Sequence, residues 1–323
     1  MRFLKNTLNP AWYHGHRASP PFFEGWYFKL ISADEAHRFA IIPGVFLGKN
    51  GYAFIQVLNG STGFSEFIKY PLSEFWAAEE DLHVRIGGSE FRADAIYLDV
   101  QAPGGKIVGD LKFGPLRPWP VTVASPGVMG WYAWVPRMEC SHGVLGFDHG
   151  IEGALEVKGE THDFSGGRGY MEKDWGQAFP QGYVWMQSNH FGTEGVSLSA
   201  SAAMIPWIGY AFRGYIVGLY LQGELYRFAT YTGAKLTAFS ISDHQVEMTL
   251  EDRKHVLEIT AHRSDTGLLK GPTRAEMDMR VAESLTAWID VRLQTTGGEV
   301  IFEGTGQHAG LEVAGDIPRL LEG

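Results

Sequence analysis

The chain has 323 residues, is 45% apolar and 20% charged, and carries a formal net charge of −10. This excludes a disordered or fibrous chain, allows about two domains with a real core, and makes nucleic acid a poor partner, because an acidic surface repels phosphate. The single cysteine, Cys140, excludes an internal disulfide and fits a reducing compartment.

The first residues, "MRFLKNTLNPAWYHGHR", hold no apolar run of signal-peptide length. "HGH" at 14–16 offers two imidazoles but no third ligand at a recognisable spacing, so no metal is expected there. From residue 22 onward the chain runs in short apolar segments. "AFIQVLN", "FRADAIYLDVQ", "YIVGLYLQ", "QVEMTLEDRKHVLEITAH" and "WIDVRLQ" alternate or carry β-branched and aromatic residues, which predicts strands. Glycine pairs at 87–88, 104–105 and 297–298 predict the turns. The one helical pattern is "LSEFWAAEEDL" at 72–82, and a proline- and glycine-rich excursion at 112–130 has the make-up of a loop that lines a site. The most apolar stretch, 197–212, is too short for a membrane span and is interrupted by Pro206. The expected location is cytoplasmic, with transient membrane-surface contact as one way to collect an apolar ligand.

Four segment pairs repeat in order. "FFEGWYFKL" at 22–30 matches "FPQGYVWMQ" at 179–187, and "GYAFIQVLNG" at 51–60 matches "GYIVGLYLQG" at 214–223. "DLKFGP" at 110–115 matches "GLLKGP" at 267–272, and "GIEGALEVKG" at 150–159 matches "QHAGLEVAG" at 307–315. A duplication of mostly strands predicts an all-β chain of two barrel- or sandwich-like domains, residues 1–164 and 165–323, with few short helices.

Side chains alternate faces along a strand. One face of the first copy then carries Glu24, Trp26, Phe28 and Leu30, and the matching face of the second carries Gln181, Tyr183, Trp185, Gln187 and Asn189. A carboxyl group among aromatics is desolvated, so its pKa rises and it can hold a proton for donation. Glu24, Glu172 and Asp174 are the candidates, unless Lys173 or Arg168 pairs with the latter two. Cys140, His142, Asp148 and His149 in "CSHGVLGFDHG" read as structural, and His190 as an ordinary strand histidine. "GGRGYME" lacks the third glycine and the βαβ setting of a dinucleotide loop, and no G-x-S-x-G occurs. No metal, nicotinamide or flavin is expected.

"FFEGWYFK", "PWP…PGVMGWYAWVPRMECSHGVLG", "GYMEKDWGQAFPQGYVWMQSNHF" and "AGLE" together resemble the tocopherol cyclase family, from Phe22 to Glu312. The resemblance implies two lipocalin-like β domains with an apolar pocket and an apolar small-molecule substrate. It implies a cofactor-independent cyclase, an isomerase of the intramolecular-lyase type, that protonates the alkene of a prenylated hydroquinone or related terpenoid and closes a chromanol-type ring. Two alternatives stand beside it: an isoprenoid or carotenoid hydratase, and a non-catalytic lipocalin-like carrier. The family's motifs fall on Glu24, Trp26, Tyr27, Lys29, Glu172, Asp174, Trp175, Gln187 and Asn189. The expected acids are Glu24, Glu172 and Asp174; the expected substrate contacts are Trp26, Tyr27, Lys29, Trp175, Tyr183, Trp185, Gln187 and Asn189. No protein partner is inferable.

Overall fold

A computed structural model describes residues 2–136, 138–207 and 209–323. The chain divides into two compact units, Met1–Phe179 with Leu269–Arg280, and Pro180–Leu268 with Val281–Gly323. The expected all-β class holds: two antiparallel sheets dominate, and the α-helices are short, α1 (Arg2–Thr7) and α2 (Ile317–Glu322).

The first sheet has 12 strands. They are β1 (Phe22–Ile31), β2 (Arg38–Leu47), β3 (Tyr52–Asn59), β4 (Phe64–Pro71), β5 (Phe75–Ala77), β6 (His83–Ile86), β7 (Ser89–Arg92), β8 (Ala95–Ala102), β9 (Gly105–Phe113), β10 (Cys140–Val157), β11 (Glu160–Asp163) and β12 (Gly167–Gly176). The second has 11 strands. They are β13 (Gly182–Ser188), β14 (His190–Phe191), β15 (Val196–Trp207), β16 (Tyr210–Leu221), β17 (Glu224–Ala229), β18 (Lys235–Ile241), β19 (Gln245–Glu251), β20 (His255–His262), β21 (Gly267–Pro272), β22 (Met277–Thr295) and β23 (Val300–Gly315).

The first sheet runs β4-β3-β2-β1-β12-β10-β9-β8-β7-β6-β5, and the second runs β17-β16-β15-β13-β23-β22-β20-β19-β18. The two halves therefore share one strand order. In each, the last strand of the half returns to lie beside the first. Two of the four sequence matches fall on equivalent strands, β1 with β13 and β3 with β16. The other two do not: residues 150–159 lie on β10 and 307–315 on β23, whose counterpart is β12, while "GLLKGP" forms β21, off the main path. Residues 167–176, assigned above to the second half, form β12 and are hydrogen-bonded between β1 and β10. Alternation identifies such a strand but says nothing about which neighbour it returns to.

The faces also differ from the expected correspondence. On β1, Trp26, Phe28 and Leu30 enter the core of the first unit, but on β13 it is Val184 and Met186 that enter the core of the second. Tyr183, Trp185 and Gln187 thus lie on the opposite face. A register slip of one residue exchanges every side chain between faces. The helical pattern at 72–82 is not a helix. Leu72–Glu74 make a single 3-10 turn, and Phe75–Ala77 continue as β5, because short apolar runs suit either period.

A strap from later in the chain belongs to the first unit. Gln56 donates from Nε2 to the Lys270 carbonyl at 3.0 Å and accepts from the Lys270 amide at 2.6 Å, as a strand backbone would. Lys69 pairs with Glu276 at 2.7 Å and Arg274 with Glu139 at 2.7 Å. Met277 packs with Phe23, Phe46, Tyr52 and Phe54, an apolar cluster separate from the main core.

Candidate functional site

β1, β12 and β10 are adjacent, and their register divides the candidate residues between two faces of one sheet. Glu24 lies opposite Trp175 and Trp26 opposite Lys173. Trp26 enters the core and Trp175 packs against it, so these four side chains share the core face. Gly25 lies opposite Asp174, Tyr27 opposite Glu172, and Lys29 opposite Tyr170, all on the other face. His142 on β10 lies opposite Asp174 and joins that second group. Of the three expected acids, the fold brings Glu172 and Asp174 together and places Glu24 across the sheet from them.

On the core face Glu24 and Lys173 are both fully buried and form an ion pair. Lys173 Nζ also donates to the Trp12 carbonyl at 2.6 Å and lies 3.1 Å from His14 Nδ1. The His14 amide donates to Glu24 Oε2 at 2.9 Å. The His14 ring stacks on Trp175 with centroids 4.3 Å apart and planes 7° from parallel. Lys173 Nζ stands 4.8 Å from the Trp175 ring centre and 5.2 Å from that of Trp26. Burial alone would push the Glu24 carboxyl up, but the Lys173 ammonium and the His14 contacts outweigh it and hold the carboxyl below its ordinary value. The rise expected for a carboxyl among aromatics is cancelled here by a counter-charge. Burial and the Lys173 charge together push His14 down, which keeps its ring neutral beside the ammonium. This is an anchor for residues 12–14.

The opposite face gathers His142, Glu172, Asp174 and Tyr170. His142 Nδ1 is 2.9 Å from Asp174 Oδ1, and Nε2 is 3.5 Å from Glu172 Oε2. The buried Tyr170 hydroxyl donates to Glu172 Oε2. Burial would lower the His142 pKa, but the carboxylates of Glu172 and Asp174 outweigh it and raise it to about 9. The imidazole is therefore an imidazolium at neutral pH, in reach of two bases. Glu172 and the His142 ring are nearly enclosed, while the Asp174 side chain keeps 27% of its exposure. Ligand atoms of the three groups lie within 4.8 Å of one another, so a cation could be accommodated. However, the two carboxylates address opposite nitrogens of one ring, an arrangement that holds a proton rather than converging on an ion. Arg168 pairs with Asp148 at 3.0 Å and leaves this cluster alone.

Neither His142 nor Tyr170 stands out in the sequence as a participant, and His14 falls in a segment that reads as terminal. The alternation Tyr170-x-Glu172-x-Asp174 marks one face, but no local signal brings residue 142 to it. Cys140 is half-buried, and desolvation with the Asp174 and Glu139 charges pushes its thiol well up, which disfavours a nucleophilic thiolate.

In the second unit, Tyr183 and Trp185 are buried on the face of β13 away from that unit's core, and the Tyr183 hydroxyl donates to Glu312 Oε2 at 2.7 Å. Gln187 is fully buried on the same face. Asn189 sits in the break between β13 and β14, with its Oδ1 3.0 Å from His190 Nδ1.

Solved structures similar to this chain share this architecture. CghA with Sch210972 aligns with a TM-score of 0.61 at 13% identity, covering 92% of this chain and 89% of that one. Kievitone hydratase from Nectria haematococca aligns at 0.53 and 12%, covering 96% and 95%. At such identities the likeness shows the fold. A protein named "Probable tocopherol cyclase, chloroplastic" from Oryza sativa subsp. japonica is 26% identical over 366 residues, 94% of this chain and 77% of that protein. The chloroplastic tocopherol cyclase of Zea mays is 31% identical over 200 residues, 58% of this chain and 41% of that protein. Residues 98–315 match the sequence profile described as tocopherol cyclase-like, and the chain belongs to that family.

Proposed function

We propose that the chain is a cofactor-independent cyclase that closes a chromanol-type ring on a prenylated hydroquinone or related terpenoid, and that His142, Glu172 and Asp174 handle the proton. The observation that carries this is the placement of His142 between two carboxylates, Asp174 2.9 Å from Nδ1 and Glu172 3.5 Å from Nε2, which favours the imidazolium. The imidazolium gives its proton to the less substituted alkene carbon; a C–H bond forms and a tertiary cation remains. The phenol oxygen attacks the cation, the C–O bond forms, and the phenol proton passes to the cluster, with Glu172 the enclosed base. Nothing is oxidised or reduced, and the proton count of the site is restored. Tyr170 orients Glu172. Tyr27 and Lys29 share this face and are substrate contacts in this reading. Glu24, Trp26 and Trp175 are assigned to the anchor of residues 12–14.

The partial exposure of Asp174 supports a second reading, in which water traps the same cation and the product is a tertiary alcohol. The substrate is apolar. A cytoplasmic chain that touches membrane surfaces to collect it fits this reading, and among the described residues no helix is long and apolar enough to cross a bilayer. Incubation with a geranyl-substituted hydroquinone separates the cases by product mass. An isomer of the substrate supports cyclisation, addition of one water supports hydration, and binding without change supports the carrier.

A further inference from the structure

One row crosses six strands beside the acid cluster: Lys69, Phe54, Gly44, Gly25, Asp174 and His142 lie successively opposite one another on β4, β3, β2, β1, β12 and β10. Its two glycines are not equivalent. A Cβ on Gly44 would come within 2.3 Å of Phe54 Cζ, so the Phe54 ring lies over that backbone and the fold requires glycine there. A Cβ on Gly25 would meet only the Pro43 carbonyl at 3.8 Å and Ile42 Cγ2 at 4.0 Å, both ordinary contacts. Gly25 is also the one residue of β1 that is not buried. Glycine inside a strand weakens it and commonly marks the close approach of a ligand or another backbone. Packing explains Gly44 and leaves Gly25 unexplained.

We propose that Gly25 is the specificity-determining position of the acid site: the missing side chain is the seat for the reacting ring and alkene, with Asp174 and His142 on one side and the Phe54 ring beyond Gly44 on the other. This rests on the proton-transfer reading above and adds to it where the substrate lies and what limits its size. A flat phenolic ring suits a seat with a backbone floor, an aromatic wall and a proton source at its edge.

The test is a series, Gly25→Ala and Gly25→Val, with Gly44→Ala and His142→Gln beside it, using a geranyl-substituted hydroquinone as probe. Gly25→Ala and Gly25→Val should unfold at or above the parent's temperature, and the His142 ring, followed by NMR, should still titrate near 9. The kcat/KM for the probe should fall by about 10–200-fold for each methyl-sized step. Gly44→Ala should instead lower the unfolding temperature. A Gly25→Val protein that turns over the probe at the parental rate while His142→Gln is inactive overturns the seat and leaves the acid standing. A destabilised Gly25→Ala protein makes the glycine structural and also overturns it. Parental turnover by His142→Gln removes the acid reading, and a parent that neither binds nor converts the probe removes both.

Discussion

His142 and His149 show how one residue type acquires opposite chemistry from its surroundings. His142 gains two carboxylates that outweigh its burial and raise it to about 9; at His149 burial outweighs the nearby Asp148 carboxylate and lowers it to about 4. Neither ring nitrogen of His149 has a hydrogen-bond partner among the described residues, and the ring packs 4.7 Å from that of Phe113. A folded pKa above the unfolded value of about 6.5 means that the His142 contribution to stability is complete below pH 6.5 and is lost as pH rises through 9. Turnover should decline over the same upper limb, and His142→Gln should reduce it by about 10²–10⁴-fold. His149 has the reverse sign. The unfolded chain binds its proton more readily, so about 3 kcal/mol of stability, present above pH 6.5, is lost by pH 4. Unfolding free energies measured across pH 4–7 should flatten in His149→Leu; an unchanged acid limb would show that His149 is not the group responsible.

At the scale of elements, the alternation of β12 sends Tyr170, Glu172 and Asp174 to one face and Met171, Lys173 and Trp175 to the other. That much was legible in "GYMEKDWG". The three acids, by contrast, could not be divided from sequence, because the division depends on β1 and β12 being hydrogen-bonded neighbours 149 residues apart at Glu24 and Lys173. The repeat was legible where the strands are aromatic-rich, at β1 with β13 and β3 with β16, and failed at β23, where glycine and valine match anything. The buried pair makes a separate prediction. Glu24→Gln leaves the Lys173 ammonium buried without a counter-charge and should cost about 3–5 kcal/mol. Glu24→Gln with Lys173→Met should recover much of that loss in chemical denaturation. Both should speed proteolysis near Arg17, since residues 12–14 lose their anchor; unaltered stability in Glu24→Gln would remove the anchor role.

At the scale of the whole chain, one strand order used twice builds two β units, and the family assignment joins that fold to a cyclase lineage. In the proposed reaction the cluster supplies acid and base without a redox partner, so turnover should survive extensive EDTA treatment and need no added nicotinamide or flavin. Loss on chelation that is restored by a divalent ion would mean that His142, Glu172 and Asp174 hold a cation instead of a proton. The most direct measurement is turnover of a geranyl-substituted hydroquinone in D2O, with product analysed by mass and NMR for the parent and His142→Gln. The predicted result is a chromanol bearing one deuterium at the former alkene carbon from the parent, and almost none of that product from His142→Gln. Equal yields from both proteins, or a parental product without deuterium at that carbon, would contradict proton-initiated closure by this cluster.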